Sequence, residues 1–277
     1  MKRCDELPLM LGGHSFVQQL GNDPIPDAGV VMEIVAACLD EGIRWFDTTF
    51  KPERIALGAA LASLGRREEA TVACWSHFGI FGPEDESDHS VPLEPHHLDI
   101  MQEDLQSDCV DAVVVHPSAT RDCPEREPEQ VAVATRWKEE GRIRMLGRFR
   151  PGSDPERVFG HDNPYDFQVQ PHSVAQDATD VFEACRKLGW LNIACTPFGR
   201  GWTLDRIVDA EGRAGDAGFR AHVADLMLRS ALYSPHVDRL MVAMRKPEWV
   251  RPNVESARRG SLSDEERIWL LDHLPKD

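Results

Sequence analysis

Short continuous runs of apolar residues alternate along this chain with longer stretches whose apolar positions recur every three or four residues. The first such pair is "LPLMLGG" followed by "AGVVMEIVAACLDEG", and the second is "IRWFDTT" followed by "PERIALGAALASLG". The rhythm continues with "ATVACWSHFG" before "EPHHLDIMQEDLQSD", where Leu98, Met101 and Leu105 share one face. "DAVVVHP" then precedes "EPEQVAVATRWKEEG", and "IRMLGRF" precedes the short "DPERVFG". "YDFQVQPHS" leads into "DATDVFEACRKLG", and "LNIACTPFG" leads through a Gly-rich insertion into "FRAHVADLMLRSAL". Last come "DRLMVAM", "KPEWVRPNVESARRG" and a terminal "SDEERIWLLDHL". Continuous apolar runs suit strands buried on both faces, and the helical spacing suits helices packed along one side. Gly42, Gly141 and Gly189 stand where three of those helices should end.

Eight strand–helix units in a chain of 277 residues predict an α/β fold, a (β/α)8 TIM barrel, as one domain over residues 1–277. No Pro/Gly/Ser-rich linker divides it. The longest connections, about 79–95 after the third strand and 199–218 after the seventh, should rise from the C-terminal face, where barrel active sites sit, so both are lid candidates.

Composition narrows the partners. Hydrophobic residues make up 42% and charged residues 28%, ordinary for a chain with a sizeable core, but the formal net charge is −16. Such a chain repels nucleic acid and anionic membrane surfaces and leaves a small molecule as the expected partner. The seven cysteines form no C-x-x-C pair, and several lie inside apolar runs, the pattern of reduced thiols. With no long apolar segment either, a cytoplasmic location is expected.

The segments "EGIRWFDTT…ERIALGAAL", "DLQSDCVDAVVVHPS", "EEGRIRMLGRF", "CRKLGWLNIACTPFGRG" and "RKPEWVRPNVESA" resemble the aldo/keto reductase family, in order and spacing, over nearly the whole chain. The resemblance implies a (β/α)8 barrel that reduces carbonyls with NAD(P)H through an Asp, Tyr, Lys and His set. Carried over by position, Asp47 matches the Asp and His116 the His. The loop that holds the Tyr closes early here, in "DTTFKPER", and the Lys position at the end of strand 3 reads Trp75. Tyr165 and Tyr233 each lie just before a strand, at the opposite end of the barrel. The family's Ser-Asn pair reads Phe149-Arg150, its stacking Tyr reads Cys195, and Trp249 stands where an Arg often grips the 2′-phosphate. Arg245, Asn253 and Thr196 remain as candidates for holding NAD(P)H, if a nucleotide binds.

Positions just past the strand ends should face the pocket: His14, Asp47, His77, His116, Arg148 or Arg150, His172 and Cys195, in strand order. Four histidines with one Asp suit acid–base catalysis, because imidazoles exchange protons near neutral pH while an Arg holds a developing oxyanion. Elimination, isomerisation or epimerisation of a small hydroxylated or carbonyl compound would follow. Three alternatives stand beside this one. His14, His77, His116 and His172 could hold a divalent metal. A histidine could serve as the acid of an NAD(P)H-dependent reductase. The barrel could also be a non-catalytic binding scaffold. Elsewhere, His96 and His97 should be exposed at a helix start, Trp45 should pack in the core, and Trp202 is a contact candidate at the mouth.

Overall fold

The computed structural model describes residues 6–18, 24–76, 78, 92–117 and 126–274. Eight parallel strands follow one another round a closed barrel in chain order. They are β1 (Leu9–Leu11), β2 (Trp45–Thr48), β3 (Thr71–Trp75), β4 (Ala112–Val115), β5 (Met145–Phe149), β6 (Phe167–Pro171), β7 (Leu191–Cys195) and β8 (Arg239–Val242). The ring closes where Leu9 pairs with Leu240 and Leu11 with Val242. The (β/α)8 architecture read from the alternating pattern is the one observed.

Helices pack outside the strands: α1 (Ala28–Glu41), α2 (Lys51–Leu64), α3 (His97–Asp104), α4 (Glu127–Glu139), α5 (Pro155–Phe159), α6 (Thr179–Lys187), α7 (Trp202–Ala210), α8 (Ala217–Leu232), α9 (Val250–Arg259) and α10 (Asp264–Asp272). Their ends follow local chemistry. The Asp27 carboxylate accepts the Val30 N–H at 2.9 Å to start α1, and Gly42, at φ 94°, stops it. Side chains alternate along each strand, so one set joins the helices and the other fills the lumen. The outer core includes Leu9, Phe46, Val72, Val113, Leu146 and Leu240. The lumen holds Met10, Trp45, Trp75, Val114, Phe167 and Cys195 among others, with Trp45 in the core as its sequence context suggests. Gly147 is required there, because a Cβ would lie 2.3 Å from the Phe167 ring.

The connection after β7 differs from the expected open loop. Its Gly-rich flanks enclose α7, whose Leu204, Ile207 and Val208 pack against Phe219 and Val223 of α8. The other lid candidate lies mostly outside the described residues, which take up only its end at 92–95. His97 also departs from expectation. Its ring is buried, stacks on Phe78 at 3.9 Å, and accepts the Glu94 N–H at 2.9 Å. Among the described residues no helix is long and apolar enough to cross a membrane.

Candidate active site

Inward alternation on β2 turns Trp45 and Asp47 into the lumen, Asp47 nearest the C-terminal end. Its carboxylate is buried and accepts two donors, the Trp75 indole N–H at one oxygen and the Gly13 N–H at the other (3.3 Å). Burial, followed by the neighbouring Glu53 charge, pushes this carboxyl up to about 7, against the opposing pull of His14, the indole and the Gly13 amide. Trp75, at the position matched to the family's Lys, is therefore a neutral donor to Asp47.

Only Thr49 and Phe50 separate β2 from α2. That short turn brings Glu53, in the first turn of α2, back beneath the loop after β1. Glu53 is fully buried. One oxygen accepts the Thr49 and Phe50 N–H groups (2.6 and 3.3 Å), and the other meets His14 Nδ1 at 2.8 Å. His14 stacks on Phe50 with ring centroids 5.6 Å apart. Burial disfavours its charged form, yet the bond to Glu53 and the charges of Glu53 and Asp47 outweigh this and raise its pKa, with Arg200 opposing. The close approach depends on Gly13, where a Cβ would lie 2.3 Å from a Glu53 oxygen.

Across the mouth, the His116 ring stacks on Phe149 at 5.0 Å and lies 5.5 Å from Trp75. Its backbone N–H donates to Ser76 Oγ at 2.9 Å. Cys195 closes β7 beside Asp47. Burial, then the Asp47 charge, pushes the thiol up to about 12, so it stays protonated despite the Thr196 hydroxyl and Arg150.

Two expected site residues face the other way. His172 follows Pro171 and turns outward, its Nδ1 accepting the Ala178 N–H at 3.1 Å and its Nε2 donating to Ser234 Oγ at 2.7 Å. Both ring nitrogens are thus committed to holding β6 against the helix layer. Arg148 also points outward, pairing with Glu127 at 2.6 Å and donating to the Phe149 carbonyl at 3.0 Å. The strand ends place Phe149 inward and Arg150 at the rim instead. His77 lies outside the described residues. With His172 turned away, the four-histidine metal set does not assemble, and among the described residues no group of three or more His, Cys, Asp or Glu could hold a metal ion.

Of the other candidates, the buried Arg245 directs its guanidinium to the carbonyl oxygens of His14 (3.0 Å), Val17 (2.5 Å) and Pro24 (3.0 Å). Asn253 is half-buried on α9, and Thr196 has a left-handed backbone at φ 59°. Tyr165 packs on Phe159 and Trp190, and the Tyr233 hydroxyl donates to the Ala257 carbonyl on α9. Glu53 escaped the sequence reading. Its one signal was its place in the first turn of a helix only a few residues beyond Asp47.

A cavity of about 630 Å³ opens at the far, N-terminal end of the barrel, lined in part by Arg44, Arg67, Glu69 and Asp111. Its charges bind each other, as in Arg67–Asp111 at 2.9 Å and Arg44–Glu69 at 3.6 Å. Characterised barrel enzymes carry their active sites at the opposite, C-terminal end, the end at which Asp47 sits.

Fold and mouth together define a closed (β/α)8 barrel with a buried carboxyl at the base of its C-terminal face. Among solved structures, the chain is similar to the aldo-keto reductase AKR11C1 from Bacillus halodurans (holo form), with a TM-score of 0.74 and 18% identity over 97% of this chain and 92% of that one. No protein-family model matches the sequence, and no curated protein matches it. The nicotinamide nucleotide that such a fold implies does not fit the residues at the matched positions. Phe149 turns an apolar ring onto His116 where a carboxamide would need polar partners, and Arg245 is engaged within the chain.

Proposed function

We propose that the barrel mouth performs acid–base chemistry without hydride transfer: elimination, isomerisation or epimerisation of a small hydroxylated or carbonyl compound. The observation that carries this reading is the placement of the buried Asp47 carboxyl in the lumen at the end of β2, bonded to the Trp75 indole and the Gly13 N–H beside the His14–Glu53 pair; burial there pushes it up toward the range useful to a general base or acid at neutral pH. In its ionised form Asp47 removes a proton from carbon beside a carbonyl or hydroxyl group. The Glu53-paired His14, raised toward the imidazolium, returns a proton to the oxygen or to the departing group. His116, held flat by Phe149, presents a second imidazole to the same space.

The similarity to a holo aldo-keto reductase, with Asp47 and His116 at family positions, favours a second reading: an NAD(P)H-dependent carbonyl reductase with His116 as acid. One paired measurement separates the two. The protein is titrated with NADPH and NADH by tryptophan quenching, and small hydroxy and keto compounds are followed by proton NMR in D2O. No nucleotide binding up to millimolar concentration, with carbon-bound proton exchange or elimination that Asp47→Asn abolishes, supports the proposal. Saturable micromolar nucleotide binding without exchange replaces it with the reductase. Absence of both leaves a binding barrel.

A further inference from the structure

The chain is strongly acidic, with 47 Asp and Glu against 31 Lys and Arg, and arginines readily find carboxylates in it. Arg54 meets Asp104 at 3.0 Å, Arg66 meets Asp40 at 2.6 Å, and Arg229 meets Glu266 at 2.8 Å. Two arginines at the mouth do not follow suit. Arg150, directly after β5, lies 5.1 Å over the Phe149 ring, and Arg200, in the turn after β7, lies 5.6 Å over Trp202. Both are exposed, and among the described residues no acceptor takes either guanidinium. Both also hold left-handed backbones, at φ 50° and 61°. Such a conformation costs a non-glycine residue on the order of 1 kcal/mol, and it persists where a side chain must be aimed.

These side chains lie next to the proposed reacting groups through packed rings. Arg150 covers Phe149, Phe149 lies 4.7 Å from Trp75, and the Trp75 indole donates to Asp47. From the other side, the charge of Arg200 reaches His14, and that of Arg150 reaches Cys195. An anionic substrate approaching a protein of net charge −16 is repelled at long range, so local cations at the mouth are what would admit and orient it. A guanidinium suits this role because its planar donors match a carboxylate in bidentate fashion.

We propose that Arg150 and Arg200 form a receptor for an oxyanion on the substrate, so that the substrate class is a hydroxy or keto acid whose carboxylate is held at the rim while its carbon chain descends to Asp47. This rests on the acid–base reading of the same mouth. Phosphate shares the carboxylate's chemistry, and the test distinguishes the two.

The full-length protein is titrated by calorimetry with gluconate and with glucitol, which share a six-carbon polyol chain and differ by one carboxylate, and with inorganic phosphate and NADPH. Gluconate is expected to bind at least about tenfold more tightly than glucitol. Arg150→Gln and Arg200→Gln should each weaken gluconate about tenfold and leave glucitol unchanged, and added salt should weaken gluconate alone. Equal affinity for the two polyols, no gluconate binding, or full gluconate binding in the double variant overturns the receptor. Tighter, arginine-dependent binding of phosphate or NADPH than of gluconate overturns the assignment to a carboxylate. Exchange activity lost in Asp47→Asn but untouched by both arginine variants leaves the acid–base reading standing without the receptor. Arginine-dependent gluconate binding in a protein with no exchange activity leaves the receptor without that reading.

Discussion

Asp47→Asn should make the protein more stable at pH 8 while abolishing the proposed acid–base chemistry. The folded state lifts this carboxyl from 3.8 to about 7. At about 1.36 kcal/mol per unit, keeping it ionised in the fold costs roughly 4 kcal/mol. A raised pKa means the native state holds a proton that the unfolded chain releases. The contribution to stability is therefore fully favourable below 3.8, declines as pH rises through the interval up to about 7, and is lost above it. Asparagine carries no charge, and its Oδ1 can still accept the Trp75 indole N–H. Its amide nitrogen would face the Gly13 N–H, which now donates to the second oxygen at 3.3 Å, a mismatch costing about 1 kcal/mol. The expected balance is a gain of about 3 kcal/mol at pH 8, shrinking to nothing or a slight loss near pH 4.5. Urea unfolding of wild type and variant at half-unit steps from about pH 4.5 to 8.5 measures the difference; groups that do not feel Asp47 cancel from it, and His14, whose pKa the Asp47 charge helps to raise, is followed separately by NMR. A difference that is flat across that range, or a variant less stable at pH 8, would refute the desolvated-carboxyl argument. A gain of stability on removing this buried charge is what the proposed role predicts, because function and stability commonly trade against each other at such groups.

Trp75→Phe removes the indole donor that favours ionised Asp47, so the limb of the pH–rate profile set by this carboxyl should move up by about one unit; a limb that stays in place contradicts the hydrogen bond's role. Glu53→Gln should lower the titration of His14, followed by NMR. His14's raised pKa means that its pairing stabilises the fold below 6.5 and that this is lost as pH climbs through the ring's own pKa, so the variant's deficit should be confined to low pH. Gly13→Ala forces a Cβ to within 2.6 Å of the Asp47 carbonyl oxygen and should cost about 1–3 kcal/mol in chemical denaturation, together with a displaced His14 resonance. His172→Ala should lose about 2–4 kcal/mol by breaking one buried and one part-buried hydrogen bond, with ligand affinity at the mouth unchanged. A selective loss of ligand affinity would return His172 to the site.

The barrel was legible because each strand is a short apolar run and most helices are bounded by residues with local reasons to cap or stop. Helix α7 was missed for the converse reason. Glycines at 199, 201, 212 and 215 flank it, and they outweighed the helical spacing of Leu204, Ile207 and Val208. The site was half legible. Strand ends could be found to within a residue, which sufficed for His14, Asp47 and His116, whose side chains do reach the mouth. That margin is the same size as the alternation that decides which face a side chain takes. One step separates the inward Phe149 from the outward Arg148, and one step separates Pro171 from His172. Parity along a parallel strand bounded by apolar residues on both faces leaves no polar pattern to read, so only the register could decide.

Glu53 lay beyond sequence reasoning for a different reason. A carboxylate in a helix's first turn is ordinarily a solvated partner of the helix dipole. Here it is buried because the loop after β1 crosses directly above it, and that crossing is allowed by the missing side chain at Gly13, forty residues away in sequence. The two-residue turn between β2 and α2 does the rest. A longer connection would leave room for other side chains between strand and helix and would carry Glu53 away from Asp47. Shortened, it places two carboxylates in one desolvated space, and like charges there cannot both ionise freely. Glu53 is hydrogen-bonded to His14 and two backbone N–H groups, while Asp47, desolvated and beside the Glu53 charge, is pushed up to about 7. The contraction that leaves no space for a long loop is thus also what brings an ordinary aspartate to the pH at which it can trade protons. Restoring three residues between Thr48 and Lys51 should therefore return Asp47 to the usual carboxylate range.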